Sequence, residues 1–198
     1  LLHCEDWAVG RDAIMEIAAL SVGGSRCKSD VRTALIGSGG SLKQAVTVHG
    51  FGSRHIDNHI EINHKVANCN SKLVINSACA GSSRSIATGL LKVAEGANGT
   101  DAGQVFRNLL LSDKARADSI PELEVLADEV KAAHGAASSP VNPEQVHYLM
   151  SRGHSPQQAE TLIVEGFLID AFSNLGDSDL KDVLATRMTI HLECELKR

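Results

Sequence analysis

Histidine and cysteine are the side chains of this chain that are best suited to bind a transition metal. The sequence contains nine histidines and five cysteines, and both imidazole and thiolate are common ligands of iron and zinc. The cysteines, at positions 4, 27, 69, 79 and 194, form no Cys-x-x-Cys pair, so we do not expect a structural zinc site. Their odd number argues against a disulfide framework and favours a reducing, cytoplasmic setting.

His134 is the histidine whose surroundings most favour a functional role. It follows the clearest strand-like run of the chain, Pro121–Val125, and it stands between Ala133 and Gly135, two small residues that leave its ring accessible. From the residues alone, an exposed histidine without a ligand is the commoner outcome.

Three other histidines lie near strand-like segments. His55 and His59 are four residues apart, a spacing that suits a ligand pair on a helix, but their neighbours are typical of strand and turn. We therefore favour structural roles for both. His64 ends the run Ile-Glu-Ile-Asn-His and is expected at the end of a strand.

Common catalytic motifs are missing from the sequence. It contains neither the Gly-x-x-x-x-Gly-Lys-Ser/Thr phosphate loop nor the Gly-x-Ser-x-Gly nucleophile elbow. Glu122 and Glu124 project to the same side of a strand, as a carboxylate pair would, yet a solvated strand face is the favoured interpretation.

Composition excludes several classes of partner. The chain has 198 residues, of which 43% are hydrophobic and 3% aromatic, and a net charge of -5. These values give no reason to expect nucleic-acid binding, and no apolar run approaches the ~20 residues of a membrane helix. Because it opens at Leu1 rather than Met, we expect a piece of a longer protein.

Residues 1–140 carry many strand-length apolar runs separated by polar or glycine-containing turns. Leu73, Leu91 and Leu109 recur 18 residues apart, which suits a solenoid of stacked coils. Small residues at the corners of such coils would explain the abundance of Gly, Ser and Ala. From this pattern alone, a solenoid and an irregular β-sandwich remain equally acceptable.

Residues 141–198 have the capping signals of helices. Asn142-Pro143 and Ser155-Pro156 each place a cap before a proline, and Gly153 can end the first helix. We expect helices near 143–152, 156–173 and 179–196. Apolar residues surround the second helix almost completely, so its outer face should be covered by the third helix or by another protein.

Several segments, in order, resemble the SufB/SufD family of iron–sulfur cluster assembly proteins. They run from about residue 30 to residue 173: Gly50–Asp57, Ile62–His64, Gly99–Gln104, Arg107–Asp113, Pro121–Val125, Ala133–Ala136 and Tyr148–Gly153, followed by the apolar helix through Phe172. The resemblance implies a mainly β fold, a right-handed parallel β-helix over 1–140, followed by a small C-terminal α-helical domain over 141–198.

The resemblance also implies a function. Family members are scaffold subunits, not enzymes, on which iron–sulfur clusters form transiently. They pair through their β-helices, as homodimers or SufB–SufD heterodimers. They bind the ABC-type ATPase SufC through the C-terminal helices. Neither nucleic acid nor a membrane is expected as a partner. The matching docking residues are Tyr148, Arg152, Gly153, Phe167 and Phe172.

His134 matches the histidine that the family places at the dimer seam, as a ligand candidate for the cluster. Phe106 and Gly135 replace the cysteine and glutamate of SufB-type members, and Gly103 replaces a histidine that is common in the family. The site therefore resembles that of SufD or of an undivided, ancestral-type member. Cys69 and Cys79 are weaker candidates as sulfur acceptors. Two alternatives stay open: an adaptor of the ATPase that binds no cluster, and a β-solenoid enzyme.

Overall fold

The computed structural model describes residues 1–196. Within them the strands are β1 (Leu2–Val9), β2 (Ile14–Val22), β3 (Arg26–Leu35), β4 (Ser41–Gly50), β5 (His55–His64), β6 (Asn70–Cys79), β7 (Arg84–Val93), β8 (Asp101–Leu110), β9 (Arg116–Val125) and β10 (Lys131–Pro140). The helices are α1 (Pro143–Ser151), α2 (Pro156–Asp170), a 3-10 turn (Ala171–Asn174) and α3 (Ser178–Leu196). Among these residues, no helix is long and apolar enough to cross a membrane.

The strands form a parallel β-solenoid of five coils. Odd-numbered strands pair in the order β1-β3-β5-β7-β9, and even-numbered strands pair in the order β2-β4-β6-β8-β10. Each coil thus gives one strand to each sheet, which confirms the solenoid over the sandwich. The strands end at Pro140 and the helices begin at Pro143. The division into two domains stays a prediction, since the helices pack directly on the second sheet.

The length of a coil is not the 18-residue spacing of leucines that indicated a solenoid. Arg26, His55 and Arg84 occupy equivalent positions in three successive coils, so this repeat is 29 residues. Leu73, Leu91 and Leu109 lie on β6, β7 and β8, which alternate between the two sheets. Their 18-residue spacing therefore followed successive strands rather than successive coils.

Residues that point inward alternate with residues that point outward along the strands, and the inward-pointing ones form the core between the two sheets. In β5 every second residue is buried, which gives an inner row of Ile56, Asn58, Ile60, Ile62 and His64. Strands of this composition form because β-branched side chains pack well on a pleated surface. Residues in register on neighbouring strands stack in columns through the solenoid.

Close packing at two places explains the small residues. A Cβ at Gly89 would overlap the ring of Phe106 and the amide of Gln104, so the missing side chain leaves room for a fully buried aromatic ring. At one corner, Gly81 has φ +66° and a Cβ there would lie 2.8 Å from the Gly52 carbonyl oxygen. Only glycine adopts that conformation without strain while tolerating this approach.

The helices begin as the capping residues predict. The Asn142 side chain accepts the Glu144 amide, and Ser155 forms a reciprocal capping box with Gln158. Gly153, with φ +95°, follows the end of α1. The expected second helix stops at Asp170, where the chain tightens into the 3-10 turn.

Side chains of the second sheet hold the end of α2. The last carbonyls of a helix lack partners within it. Asn76 Nδ2 donates to the Phe167 carbonyl at 2.7 Å, and Thr47 Oγ1 donates to the Leu168 carbonyl at 3.0 Å. Arg107 pairs with Asp170 at 2.8 Å. These contacts fix α2 across the outer face of the solenoid.

The inner columns generate a stability prediction. Leu73 is 1% exposed and stacks between Gln44 and Gln104. Leu73→Ala should lower the free energy of unfolding by about 2–5 kcal/mol, because it removes buried apolar area and leaves a cavity. Urea denaturation measures this loss. Val183→Ala, at a side chain that is 57% exposed on α3, is the control and should change stability by less than about 0.5 kcal/mol.

Candidate functional site

His134 lies on β10, the last strand of the second sheet. It is in register with Gln104 of β8, whose side chain is buried inside the solenoid. Because residues in register project to the same face, His134 faces the interior column. It is nevertheless exposed, since β10 ends the sheet and no further described coil covers it.

The terminal coil leaves apolar side chains uncovered. Leu123 and Val125 are the last members of inner columns of the first sheet, and each is 36% exposed. Ile120 is 43% exposed and Leu126 is 62% exposed. The outer edges of β9 and β10 also offer unpaired backbone groups, which favour pairing with another chain. An apolar end of this kind is typical of an interaction surface.

Polar side chains below His134 fasten the last coil to the one before it. Asn108 Nδ2 donates to Ser119 Oγ at 2.9 Å and to Ser138 Oγ at 2.8 Å, so it joins β9 and β10 through β8. Gln104 Nε2 donates to the Glu122 carbonyl at 2.8 Å. The strand that carries His134 is therefore held in position although its inner face is open.

Among the described residues, the three positions that the family resemblance places around His134 supply no second ligand. Phe106, two positions along from Gln104 on the same inner face, is completely buried. Gly103 and Gly135 fall on the opposite, outer face. In the part of the chain that the structure describes, no three His, Cys, Asp or Glu side chains come together to hold a metal ion. His134 is thus a single imidazole at an open end.

Cys69 and Cys79 are core residues in this structure. Both thiols are buried, and burial raises the pKa of Cys69 and raises that of Cys79 to about 11. Cys79 aligns with Pro140, six residues along the strand from His134, or about 20 Å. Sulfur acceptance at either thiol stays a prediction, and it would require the coil to open.

The other histidines have structural positions. His55 and His59 lie on one strand, where four residues span about 13 Å, too far to share a metal ion. His59 Nδ1 is 3.3 Å from the Asp30 carboxylate. His64 ends β5 as expected, and its Nε2 lies 2.8 Å from Ser71 Oγ. Burial lowers the pKa of His64 to about 4, so it is neutral at pH 7.

Glu122 and Glu124 are exposed on the outer face of β9. Glu124 lies 3.9 Å from Lys92, which also reaches Glu61 at 3.5 Å. Such exposed ion pairs are typical of a solvated strand face. This placement agrees with the interpretation that we favoured for the two carboxylates.

The expected docking residues separate into two groups. Tyr148 is 56% exposed, and the Arg152 guanidinium donates to its hydroxyl at 3.0 Å. Tyr148 and Phe167 line a groove of about 700 Å³ between α1, α2 and the end of β10. Phe172, in contrast, is buried against Ala45 and α3. Its side chain packs in the protein's own core and is no part of an exposed docking surface.

The second helix is covered on two sides. Val164 and Leu168 pack with Met188 and Leu192 of α3 and with the second sheet, so intramolecular burial accounts for most of its apolar circumference. Leu162 remains 42% exposed and lines the groove. Coverage of the helix by α3 is therefore confirmed, while coverage of its remaining exposed face by another protein stays a prediction.

One contact between histidines was missed by reasoning from sequence. His49 Nδ1 lies 2.9 Å from His191 Nε2, which joins β4 to α3. The two residues are 142 positions apart, and no local pattern marks either. Only the packing of α3 on the second sheet brings them together.

Comparison with known proteins now adds to this geometry. The family model described as "SUF system FeS cluster assembly, SufBD core domain" matches residues 2–167. The match covers the solenoid and the first two helices almost to the end of α2.

Curated relatives give the same result. SufD of Bacillus subtilis is 32% identical over 179 residues, which are 90% of this chain and 41% of that protein. SufD of Escherichia coli is 29% identical over 183 residues, 92% of this chain and 43% of that protein. A SufBD family iron–sulfur cluster assembly protein of Mycobacterium tuberculosis is 29% identical over 197 residues, 96% and 49% respectively. The chain thus spans about half the length of these relatives.

Burial of the cysteines predicts their reactivity. Iodoacetamide at pH 8 should label the exposed Cys4 and Cys194 in the native protein and leave Cys69 and Cys79 unmodified, because the alkylated species is the thiolate. Mass spectrometry of peptides measures the labelling, and urea-unfolded protein, in which every thiol reacts, is the control. Labelling of Cys79 as fast as Cys4 in native protein would contradict its burial.

Proposed function

This chain belongs to the SufBD core family of the SUF system for iron–sulfur cluster assembly, and from that membership we propose that it acts as a scaffold subunit rather than as an enzyme. The observation that carries the proposal is the place of His134: an exposed imidazole on the inner face of the last coil. A cluster held there would be cargo, formed on the protein and passed on.

The open end of the solenoid supports a partner of the same fold. A second SufBD-type solenoid would cover Leu123, Val125 and Leu126 and would pair with the free edges of β9 and β10. Ala133, Gly135 and Ala136 around His134 have little or no side chain, so the partner backbone can approach closely. Either a homodimer or a SufB–SufD-type heterodimer satisfies this requirement.

The count of ligands favours the heterodimer. An iron–sulfur cluster is usually held by several thiolates or imidazoles, and this chain presents one imidazole at the seam, with a buried phenylalanine beside it. A homodimer would bring together two copies of His134. A partner of SufB type would instead add cysteine and glutamate, ligands that Phe106 and Gly135 do not offer here.

The C-terminal helices are the proposed docking site for an ABC-type ATPase. The groove between α1 and α2 is mainly apolar, with Leu149, Leu162 and Phe167 on its walls. Tyr148 and Arg152 stand at its edge as an exposed aromatic ring and cation, residue types that often dominate the energy of an interface. ATP would bind to the partner, since this chain lacks the phosphate loop.

A structural adaptor is the second candidate function. It is favoured by the observation that Phe106 fills the position beside His134 and is completely buried. Such an adaptor would dimerise at the seam and bind the ATPase without touching iron. The two candidates differ in whether His134 contributes to cluster formation.

The first experiment removes the imidazole. We expect His134→Ala to lower cluster absorbance by at least half when the chain is reconstituted anaerobically with a SufB-type partner, the ATPase, ferrous iron and sulfide. The loss follows because an iron ligand is missing while the seam is intact. Visible absorption near 420 nm and iron analysis measure the cluster.

His147→Ala, at an exposed histidine on α1, is the matched control and should leave absorbance unchanged. Size-exclusion chromatography should show the same dimer for all three proteins. Equal absorbance from the wild type and His134→Ala would support the adaptor and exclude His134 from the site.

The second experiment tests the docking groove. Tyr148→Ala should weaken binding of the ATPase by about tenfold or more, as truncation of a well-packed interface aromatic costs about 2 kcal/mol. Calorimetric titration measures the affinity. Ile190→Ala, at an exposed position on α3, is the control. Unchanged affinity for Tyr148→Ala would move the ATPase site away from this groove.

A further inference from the structure

Polar contacts tie α3 to the solenoid near each end of the helix. Near its C-terminal end, His191 meets His49 of β4 at 2.9 Å. Just before its first residue, the amides of Gly176 and Asp177 donate to the Glu16 carboxylate of β2 at 2.7 and 3.2 Å. Both contacts depend on a group of the solenoid that can gain a proton.

The histidine contact requires at least one neutral ring. A hydrogen bond between two imidazoles needs one nitrogen as donor and the other as acceptor. His49 is 6% exposed, and its ring stacks on Phe51 with centroids 5.5 Å apart. A proton on both rings would leave two cations in contact without an acceptor between them.

The charged groups around His49 come from three elements. The Arg54 guanidinium lies over the other ring of the stack, 3.3 Å from the Phe51 centroid, and it opposes a positive charge on His49. Glu160 of α2 and Glu195 of α3 line a neighbouring cavity of about 260 Å³ together with His49. A carboxylate near an imidazole favours its protonated form, so these two groups act against Arg54.

Burial, His191 and Arg54, in that order, lower the pKa of His49 to about 4. His49 is therefore neutral while α3 is docked. Once α3 moved away, the loss of burial and of His191 would raise its pKa toward the ordinary value of about 6.5, while Arg54 of the solenoid would still oppose protonation. Since the docked state binds fewer protons than the released state, docking is fully stable above pH 6.5 and weakens as the pH falls toward 4.

The contact at the other end changes in the same direction. Burial acts to raise the pKa of Glu16, but the amide hydrogen bonds and the Lys43 ammonium outweigh it and leave the pKa below its ordinary value. Lys43 Nζ lies 3.1 Å from Glu16 Oε1, while the Asp177 carboxylate caps the start of α3 by accepting a hydrogen bond from the Leu180 amide. Protonation of Glu16 at still lower pH removes this anchor as well.

We propose that α3 is a proton-sensitive latch, docked on the solenoid at neutral pH by the His49–His191 contact and by Glu16, and released from its C-terminal end first as the pH falls. Release uncovers Met188 and Leu192 and the faces of Val164 and Leu168 on which they pack. The proposal is independent of cluster binding at His134.

Hydrogen–deuterium exchange of the native protein between pH 7.5 and pH 5, corrected for the intrinsic pH dependence, tests the latch. With pKa values of about 4 in the docked state and at most 6.5 in the released state for His49, protection of the C-terminal half of α3 should fall several-fold at pH 5, with an upper limit of about 30-fold. Protection of β6, in the middle of the solenoid, should stay within about threefold.

Three variants sharpen the result. His49→Gln keeps a neutral hydrogen-bonding group and should reduce the loss at pH 5 to below about threefold, while His147→Gln on α1 should keep the full loss. Glu16→Gln should speed exchange at the start of α3 already at pH 7.5. Parallel changes in α3 and β6, or an undiminished loss in His49→Gln, would overturn the proposal. Protection of β6 at pH 7.5 verifies that each variant is folded.

Discussion

Parallel pairing between successive coils is the interaction on which the rest of this structure depends. Each strand satisfies its backbone groups only through the strands before and after it in its sheet, and each inner column is buried only if the next coil covers it. The last coil lacks that cover among the described residues. For this reason a histidine in register with a buried glutamine is exposed, and the site needs no special loop to present it.

The same ladder positions the helices. Its second sheet places Thr47 and Asn76 in one outer column. Their side chains donate hydrogen bonds to carbonyls at the end of α2. Because α2 is fixed at that end, the groove that Tyr148 lines has a fixed position beside the last strands. The proposed cluster site and docking site are therefore parts of one continuous framework.

Local signals in the sequence were sufficient for the elements and insufficient for their contacts. Proline and cap residues located the helices because they act within one turn, as Ser155 and Gln158 do. The 18-residue recurrence indicated a solenoid but does not equal the length of a coil, because apolar spacing does not distinguish the next strand from the next coil. Phe172 was named as a docking residue and is buried, since the position of α3 cannot be deduced from the helix that it covers. The His49–His191 contact is hidden for the same reason, and Phe106 was noticed only through a family resemblance.

The buried ring of Phe106 limits the size of the side chain that residue 89 can carry at this end of the solenoid. A side chain at residue 89 would overlap the ring of Phe106 and also the amide of Gln104, so residue 89 must stay glycine while both neighbours keep their size. A SufBD-type chain with a small thiol at the position of Phe106 would leave a void beside residue 89, and a larger residue 89 could fill it only if Gln104 also moved. The two positions should therefore covary across related sequences, with glycine at 89 accompanying an aromatic residue at 106.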